Sequence, residues 1–416
     1  MSDDDFCEII EKFTNTRYLN KPEIFYRVQS GVLSEKSTLW SDVLSYRKQQ
    51  ATDLPLVDQA NQKFWYCKPP FLEKYLHQID LVGKKRVEEL VTPAIRNKVI
   101  LDSLIDEAFY SSVIEGAFST KKRTKELVQD QNPKNKSETM ILNNYYGLQF
   151  VLDNLNKDLN KDTFLELHKI ITKDTLNEDD YTEEYRNAPV YITSENAIHQ
   201  EPLYVAPKAD QVESMMNDLF EFINNEEDGK FIHPIIKACI LHFYIGYVHP
   251  FFDGNGRTAR AFAYMYLLKH DYDFFKFFSI SSVLNNNRKK YYKSFLDTED
   301  YGSDLTYFVV AYSEITLKAL EDMIETIRKQ SDVEVVQLYL EQEGIILNTR
   351  QKKFLPFMSK KESNIILIDD YKKKFKISYE TARRDLMELA TLGIMEKVKR
   401  GKKNIFKYIG SKNMQG

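Results

Sequence analysis

The sequence predicts a mainly α-helical protein that carries a small β-hairpin and ends in a winged helix-turn-helix of α+β character. Three observations carry that expectation. Gly (14) and Pro (12) are scarce in 416 residues, while 43% of the chain is apolar with 26 Tyr and 26 Phe, a composition of packed helices rather than disorder. Apolar residues recur at spacings of three and four through the middle of the chain. Past Ser331 the character changes: 18 basic residues meet 11 acidic ones, net +7, which leaves −11 for the remainder. That asymmetry points to a nucleic-acid-facing module at one end, whereas the overall −4 excludes a general polyanion binder.

Residues 1–70 read as an N-terminal extension with helical patches and no motif, loop-like from Leu54 and stopped by Pro69-Pro70. Residues 71–329 read as the helical core and 330–416 as the C-terminal module. In the core, Asn97 to Phe118 spaces Leu101, Leu104, Ile105, Ala108, Phe109, Val113 and Ile114 as one helix. Lys161 to Asn177 is a second helix, capped by Asn160. Val190-Tyr191-Ile192 and Leu203-Tyr204-Val205 are β-like runs on either side of a long turn, hence a hairpin. Ala209 to Asn224 returns to helix. Pro234 marks a helix start, and Ile235 to Tyr247 follows as a buried helix. Arg257 to His270 is the next, and the core closes with a helix ending near Lys329. In the last module, Ile365 to Phe375 and Tyr379 to Leu392 read as two helices, the second capped by Ser378. Ile394 to Val398 and Asn404 to Ile409 read as strands around the basic turn Lys399-Arg400-Gly401-Lys402-Lys403, which completes a winged-helix layout.

The cysteines Cys7, Cys67 and Cys239 are odd in number and lack metal-like spacing, so a disulfide framework is not expected and a reducing cytoplasm is. Met1-Ser2-Asp3-Asp4-Asp5 lacks the basic and apolar regions of a signal peptide, and the apolar stretch Ile235 to Val248 is too short to span a bilayer. A cytoplasmic protein without membrane contact is the expectation.

The chemistry concentrates in His249-Pro250-Phe251-Phe252-Asp253-Gly254-Asn255-Gly256-Arg257-Thr258-Ala259-Arg260. A histidine can activate a hydroxyl, a carboxylate can hold Mg²⁺, glycines let backbone N–H groups close on an anion, and arginines neutralise phosphate charge. The run lies between two helices, so Gly254 to Gly256 sit where a helix N-terminus offers free N–H groups and partial positive charge. Gly254-x-Gly256-x-x-Ala259 also has dinucleotide-fingerprint spacing with Asp273 beyond it. A helix precedes it and no βαβ unit surrounds it, which argues against that assignment.

The run resembles the Fic family signature, His-Pro-Phe-x-Asp/Glu-Gly-Asn-Gly-Arg-x-x-Arg, at every specified position. The resemblance covers about residues 70–320 and implies a Fic helical bundle that transfers AMP from ATP to a Ser, Thr or Tyr hydroxyl of a target protein or of the chain itself. By position, His249 would be the base and Asp253 would hold Mg²⁺. Gly254, Asn255, Gly256, Arg257, Thr258, Ala259 and Arg260 would bind the nucleotide, with Tyr292 beside it. The hairpin at Val190, Tyr191 and Ile192 would be the family's flap, docking the target by strand addition. Ser111-Ser112-Val113-Ile114-Glu115-Gly116 resembles the family's inhibitory pattern, with Ser111 and Glu115 at i and i+4 on one face of a helix, which implies that Ser111, Glu115 and Gly116 belong to an inhibitory helix whose Glu115 competes for Arg260.

Ser378 to Leu386 resembles the recognition helix of DeoR-like winged-helix domains. Tyr379, Thr381 and Arg383 would then reach base edges, and Arg384, Lys399, Arg400, Lys402 and Lys403 phosphates, with duplex DNA as partner. A winged helix used only for docking is the competing reading. His233 and His242 are expected in the core, and His199 exposed on the hairpin turn. The sequence leaves several alternatives open. The chain could be a DNA-binding regulator whose core senses nucleotide or modifies only itself. The core could instead use another donor or remove AMP. A homodimer is also open.

Overall fold

The computed structural model describes residues 8, 10–28, 36–91, 93–177, 180–193, 202–225, 231–361, 363–400 and 403–410. It forms two compact units, Met1–Glu88 with Pro93–Leu320, and Glu89–Thr92 with Glu321–Gly416. No described helix is long and apolar enough to cross a membrane.

The first unit is a helical bundle built from α1 (Pro93–Ile114), α2 (Lys136–Asp153), α3 (Lys161–Thr172), α4 (Ala209–Asn224), α5 (Pro234–Val248) and α6 (Asn255–Lys269), followed by α7 (Arg288–Asp300). Helix α5 is buried on almost every face, as a helix that is apolar all round must be. His233 opens it: the ring accepts from the Ile235 N–H and contacts Asp80 at 3.0 Å, so this histidine is a structural cap. His242 lies in the core against the Tyr291 hydroxyl at 2.9 Å. Helix α6 packs on α5, α2 and α3. Asn160 caps α3, which stops at Thr172, short of the expected Asn177.

Among the described residues, two short hairpins lie in this unit. Strands β1 (Thr52–Val57) and β2 (Lys63–Tyr66) pair antiparallel where the sequence suggests only loop. Pro55 falls at a register shift between Asp53 and Val57, and a proline inside a strand pattern hides the strand from sequence reading. Strands β3 (Tyr191–Thr193) and β4 (Pro202–Val205) form the expected antiparallel hairpin, with Tyr191 opposite Val205. Its turn, with His199, falls outside the described residues.

The N-terminal residues are part of the same unit. A reciprocal capping box between Asn20 and Glu23 starts the helix Lys21–Arg27. Arg47 is fully buried and donates to Thr14 Oγ1, the Tyr307 hydroxyl and the carbonyls of Phe13 and Leu19. A buried guanidinium with four acceptors of this kind fixes the extension to the bundle.

Helix α8 (Thr306–Gln342) begins in the first unit and ends in the second, well past the Lys329 end suggested by sequence. The second unit adds α9 (Thr349–Lys360), β5 (Ile365–Leu367), α10 (Ile368–Phe375), α11 (Tyr379–Thr391), β6 (Met395–Arg400) and β7 (Lys403–Tyr408). The sheet order is β5-β7-β6, all antiparallel. The expected single helix Ile365 to Phe375 is therefore a strand followed by a helix. A short continuous apolar run cannot tell strand from helix by periodicity, and here pairing of Ile366 with Phe406 decides. Val336, Phe354, Tyr371, Leu386, Ile394 and Phe406 share the core.

Asp385 on α11 is 1% exposed. It accepts from Arg350 Nε at 2.7 Å and Nη2 at 3.0 Å, from Asn348 at 3.0 Å and from the Tyr371 hydroxyl at 3.2 Å. Removing it leaves the buried Tyr371 hydroxyl without an acceptor and frees the partly exposed Arg350 and Asn348 from their shared carboxylate. Asp385→Ala is expected to destabilise the second unit by about 1–3 kcal/mol, read by calorimetry of the full chain. A loss under about 1 kcal/mol, the level of an exposed pair, would contradict this account.

Candidate active site

The site grows from the junction of α5 and α6. Helix α5 ends because His249 takes a left-handed conformation, φ 51°, while its N–H still bonds the Ile245 carbonyl. The ring Nδ1 lies 3.3 Å from the Gly246 carbonyl. A carbonyl only accepts, so this contact assigns the proton to Nδ1 and leaves Nε2 as the basic nitrogen. Burial pushes the imidazole pKa below its ordinary value, against smaller opposing contributions from the Gly246 hydrogen bond and from Glu115.

The chain then turns into α6. Gly254 caps the helix with φ 85°, and a Cβ there would run into Thr172 Cγ2 and the His168 ring, so only glycine fits the turn. Asn255 holds the loop from inside: its Oδ1 accepts from the Phe251 N–H at 2.9 Å and its Nδ2 donates to the Phe251 carbonyl at 2.8 Å. The first N–H groups of α6 have no intrahelical acceptor, which makes this end an anion cradle. Asp253, with its side chain 41% exposed, accepts from the Gly254 N–H at 2.5 Å and lies 3.5 Å from Arg257 Nη2. Both contacts fall on Oδ1, so Oδ2 retains lone pairs for a hard cation. One carboxylate oxygen with phosphates and water suits Mg²⁺, and no cluster of three or more metal-ligating side chains exists among the described residues.

The two arginines differ. Arg257 is fully buried and donates to the Ile171 carbonyl at 3.1 Å, tying α6 to α3. Thr258 and Ala259 are also fully buried in α6, so any contact they make with a ligand runs through the backbone of the helix start. Arg260 faces α1. Its Nε donates to Ser111 Oγ at 2.8 Å, and Nη2 donates to the Ser111 carbonyl at 2.9 Å and to Glu115 Oε1 at 2.8 Å. Burial, the largest single influence, depresses this guanidinium, but Glu115 together with Tyr291 and Tyr292 holds the pKa above its ordinary value. Gly116 ends the turn after α1 with φ 89°. Glu115 also closes over α6, since a Cβ on Gly256 would overlap its carboxylate. Tyr292, 46% exposed on α7, neighbours Tyr291, and both rings lie close enough to act electrostatically on Arg260.

The hairpin is tied to the end of α5 by the Tyr204 hydroxyl, which donates to the Tyr247 carbonyl at 2.6 Å. Tyr191 is exposed, and the Val190 carbonyl accepts from the Ala206 N–H at 3.2 Å. Ile192 is described in its backbone only. Two residues of this neighbourhood escape the sequence reading. His168 on α3 stacks on Phe251, ring centres 3.4 Å apart, and its Nε2 lies 2.9 Å from the Asp253 carbonyl. Burial drives its pKa down to about 4, so it stays neutral and serves as a rigid buttress. Arg186 is 2% exposed and bonds backbone carbonyls around His249 and the hairpin. No sequence signal marks either residue, because the base-bearing turn that each contacts lies more than sixty positions away.

In the second unit, Tyr379, Arg383, Arg384 and Lys399 are exposed. Arg383 pairs with Glu380 at 2.7 Å, and Thr381 Oγ1 meets Ser378 Oγ at 2.9 Å. The Arg400 side chain, Lys402 and the side chain of Lys403 lie outside what is described.

Comparison with known proteins fits both halves. Residues 158–267 match the Fic/DOC family model, and residues 350–405 match the DeoR-like helix-turn-helix domain model. The Protein adenylyltransferase Fic of Nematostella vectensis is 25% identical over 192 residues, 44% of this chain and 42% of that protein. Its counterpart in Culex quinquefasciatus is 24% identical over 286 residues, 68% of this chain and 51% of that protein. The chain thus spans about half the length of the curated relatives it matches. A Fic family protein from Desulfovibrio desulfuricans G20 shares the fold at TM-score 0.53 and 18% identity, covering 82% of this chain and 96% of that one. Fic-1 from C. elegans does so at TM-score 0.52 and 17% identity, covering 79% and 84%.

Proposed function

On the premise that the chain carries a Fic domain and a DeoR-like helix-turn-helix domain, we propose that it transfers AMP from ATP to a Ser, Thr or Tyr hydroxyl and is held back by Glu115. The observation that carries the reading is the 2.8 Å ion pair of Arg260 with Glu115, beside the anion cradle that follows His249. Phosphoryl-type transfer needs positioning and charge neutralisation more than covalent catalysis, and the residues supply both.

The steps follow from the atoms. His249 Nε2 takes the proton of the target hydroxyl. The hydroxyl oxygen attacks the α-phosphorus, and the bond from that phosphorus to the bridging oxygen breaks. The α6 N-terminus receives the negative oxygens, and pyrophosphate leaves with its charge balanced by Arg260. Asp253 would hold Mg²⁺, which when bound screens the phosphates and orients them. While Glu115 occupies Arg260, the distal phosphate lacks its guanidinium and the α-phosphorus is not aligned with His249. Strand addition along the hairpin would present the target hydroxyl. Transfer of label from α-³²P-ATP to protein by Glu115→Gly, and not by Glu115→Gly/His249→Ala, tests the reading.

The second unit supports a further reading, binding of duplex DNA, because Arg384 on α11 and Lys399 on β6 are exposed basic residues. If both meet phosphates, Arg384→Ala/Lys399→Ala is expected to reduce the slope of log affinity against log salt by roughly 1.8. Fluorescence anisotropy of a labelled duplex between 50 and 200 mM salt, concentrations chosen on the order of the physiological range, measures it. An unchanged slope would assign the winged helix to protein docking.

A further inference from the structure

Four consecutive carbonyls at the end of α5 accept hydrogen bonds from the hairpin or the residues leading into it. The Tyr247 carbonyl accepts from the Tyr204 hydroxyl on β4 at 2.6 Å. The Val248 carbonyl accepts from Arg186 Nη2 at 3.2 Å, that of His249 from Arg186 Nε at 2.7 Å, and that of Pro250 from the Arg186 N–H at 2.8 Å. The remaining Arg186 donors turn the other way. Nη1 bonds the Ala188 carbonyl at 2.9 Å, and Nη2 also bonds the Pro207 carbonyl at 2.5 Å. Ala188 precedes β3 and Pro207 follows β4, so one guanidinium holds both feet of the hairpin and the base-bearing turn.

The last carbonyls of a helix lack intrahelical donors and carry partial negative charge, which explains why a cation can be buried here with no carboxylate partner among the described residues. A planar fork with five donors in fixed directions suits such divergent acceptors, and a lysine cannot reproduce it. A residue with only a packing role would not need to satisfy acceptors on three separate segments.

We propose that Arg186 is a positioning residue that couples the hairpin to His249, fixing where a docked target segment lies relative to the base. This rests on the reading of His249 as the base and of the hairpin as the target-docking edge. Arg186 itself touches neither nucleotide nor target.

The test compares Arg186→Gln and Arg186→Lys in the Glu115→Gly background of the full chain. Three readouts are taken: ATP affinity by calorimetry, labelling of lysate proteins from α-³²P-ATP, and NMR of the His249 imidazole together with amide exchange at Tyr191, Ile192, Tyr204 and Val205. The expected result for Arg186→Gln is an ATP affinity within about twofold, labelling down about 10²-fold, a shifted His249 imidazole and faster exchange in the hairpin. Arg186→Lys should fall between the two. A folded Arg186→Gln chain with unchanged imidazole resonances and unchanged hairpin exchange overturns the proposal, whatever its labelling. If Glu115→Gly itself transfers no label, the AMP reading fails, and the resonances and exchange still decide on Arg186. If the Gln variant does not fold, the Lys variant is judged by the same signals. Failure of both to fold overturns the proposal and leaves Arg186 a stabilising group only.

Discussion

Glu115→Gly is expected to raise protein labelling from α-³²P-ATP by about 10- to 150-fold over the wild-type chain. The range is the worth of a charge-assisted hydrogen bond, about 1.5–3 kcal/mol, converted to a rate ratio. The pair it breaks is well placed to inhibit. Arg260 is almost fully buried, and Glu115 Oε1 sits 2.8 Å from Nη2. On the proposed reading a γ-phosphate takes that same donor. Removing the carboxylate leaves the arginine in place, because Ser111 holds it independently through Oγ on Nε and the carbonyl on Nη2. The variant should therefore gain a free guanidinium edge without losing the side chain's aim. It should also open space over Gly256, where the Glu115 carboxylate now lies closer than a Cβ would allow. Glu115→Gln keeps the shape and loses the charge, and is expected to fall between glycine and wild type. Equal labelling by wild type and Glu115→Gly would remove inhibition from the account. No labelling by any of them, in a lysate supplying acceptors, would remove AMP transfer itself.

The parts of this protein legible in its sequence are those set by local rules. The His249 to Arg260 run, the caps at Asn160 and Ser378, the Pro234 helix start and the β3–β4 hairpin all arise from short-range chemistry, and the elements appear where those signals stand. The resemblance of Ser111 to Gly116 to an inhibitory pattern implies that Glu115 meets Arg260, and the two pair at 2.8 Å, although the helix ends at Ile114 and Glu115 stands in the turn after it. What the sequence hides depends on distant contacts. Strand β1 contains a proline and becomes a strand only because β2 pairs with it across a register shift. Ile365 to Leu367 becomes a strand because β7, nearly forty residues later, offers an edge. Arg257 reads as a phosphate ligand by position, yet its guanidinium is engaged by the Ile171 carbonyl on α3. Arg186 and His168 have no motif, since what defines each is a set of backbone carbonyls supplied by the base-bearing turn.

His249→Ala in the Glu115→Gly background is expected to lower transfer by about 10²- to 10⁴-fold from the parent rate, the range for loss of a general base. ATP binding should persist, because the α6 N-terminus and Arg260 do not depend on the imidazole. The pH dependence of the Glu115→Gly parent supplies the independent check. The base works only when neutral, so the rate rises as pH climbs through the His249 pKa and then levels. Burial, the largest influence, places that pKa below the ordinary histidine value, with the Gly246 hydrogen bond and the Glu115 charge opposing it. Glu115→Gly removes one of those opposing charges, so the acid limb should lie on the acid side of the ordinary range and shift further that way than in wild type. His168 cannot mimic the limb near neutrality, because its own pKa lies at about 4. A limb at or above the ordinary histidine range would mean that a different group gates the reaction. Retention of transfer by His249→Ala would mean that the target hydroxyl loses its proton elsewhere, and the left-handed turn that presents the imidazole would then need another explanation.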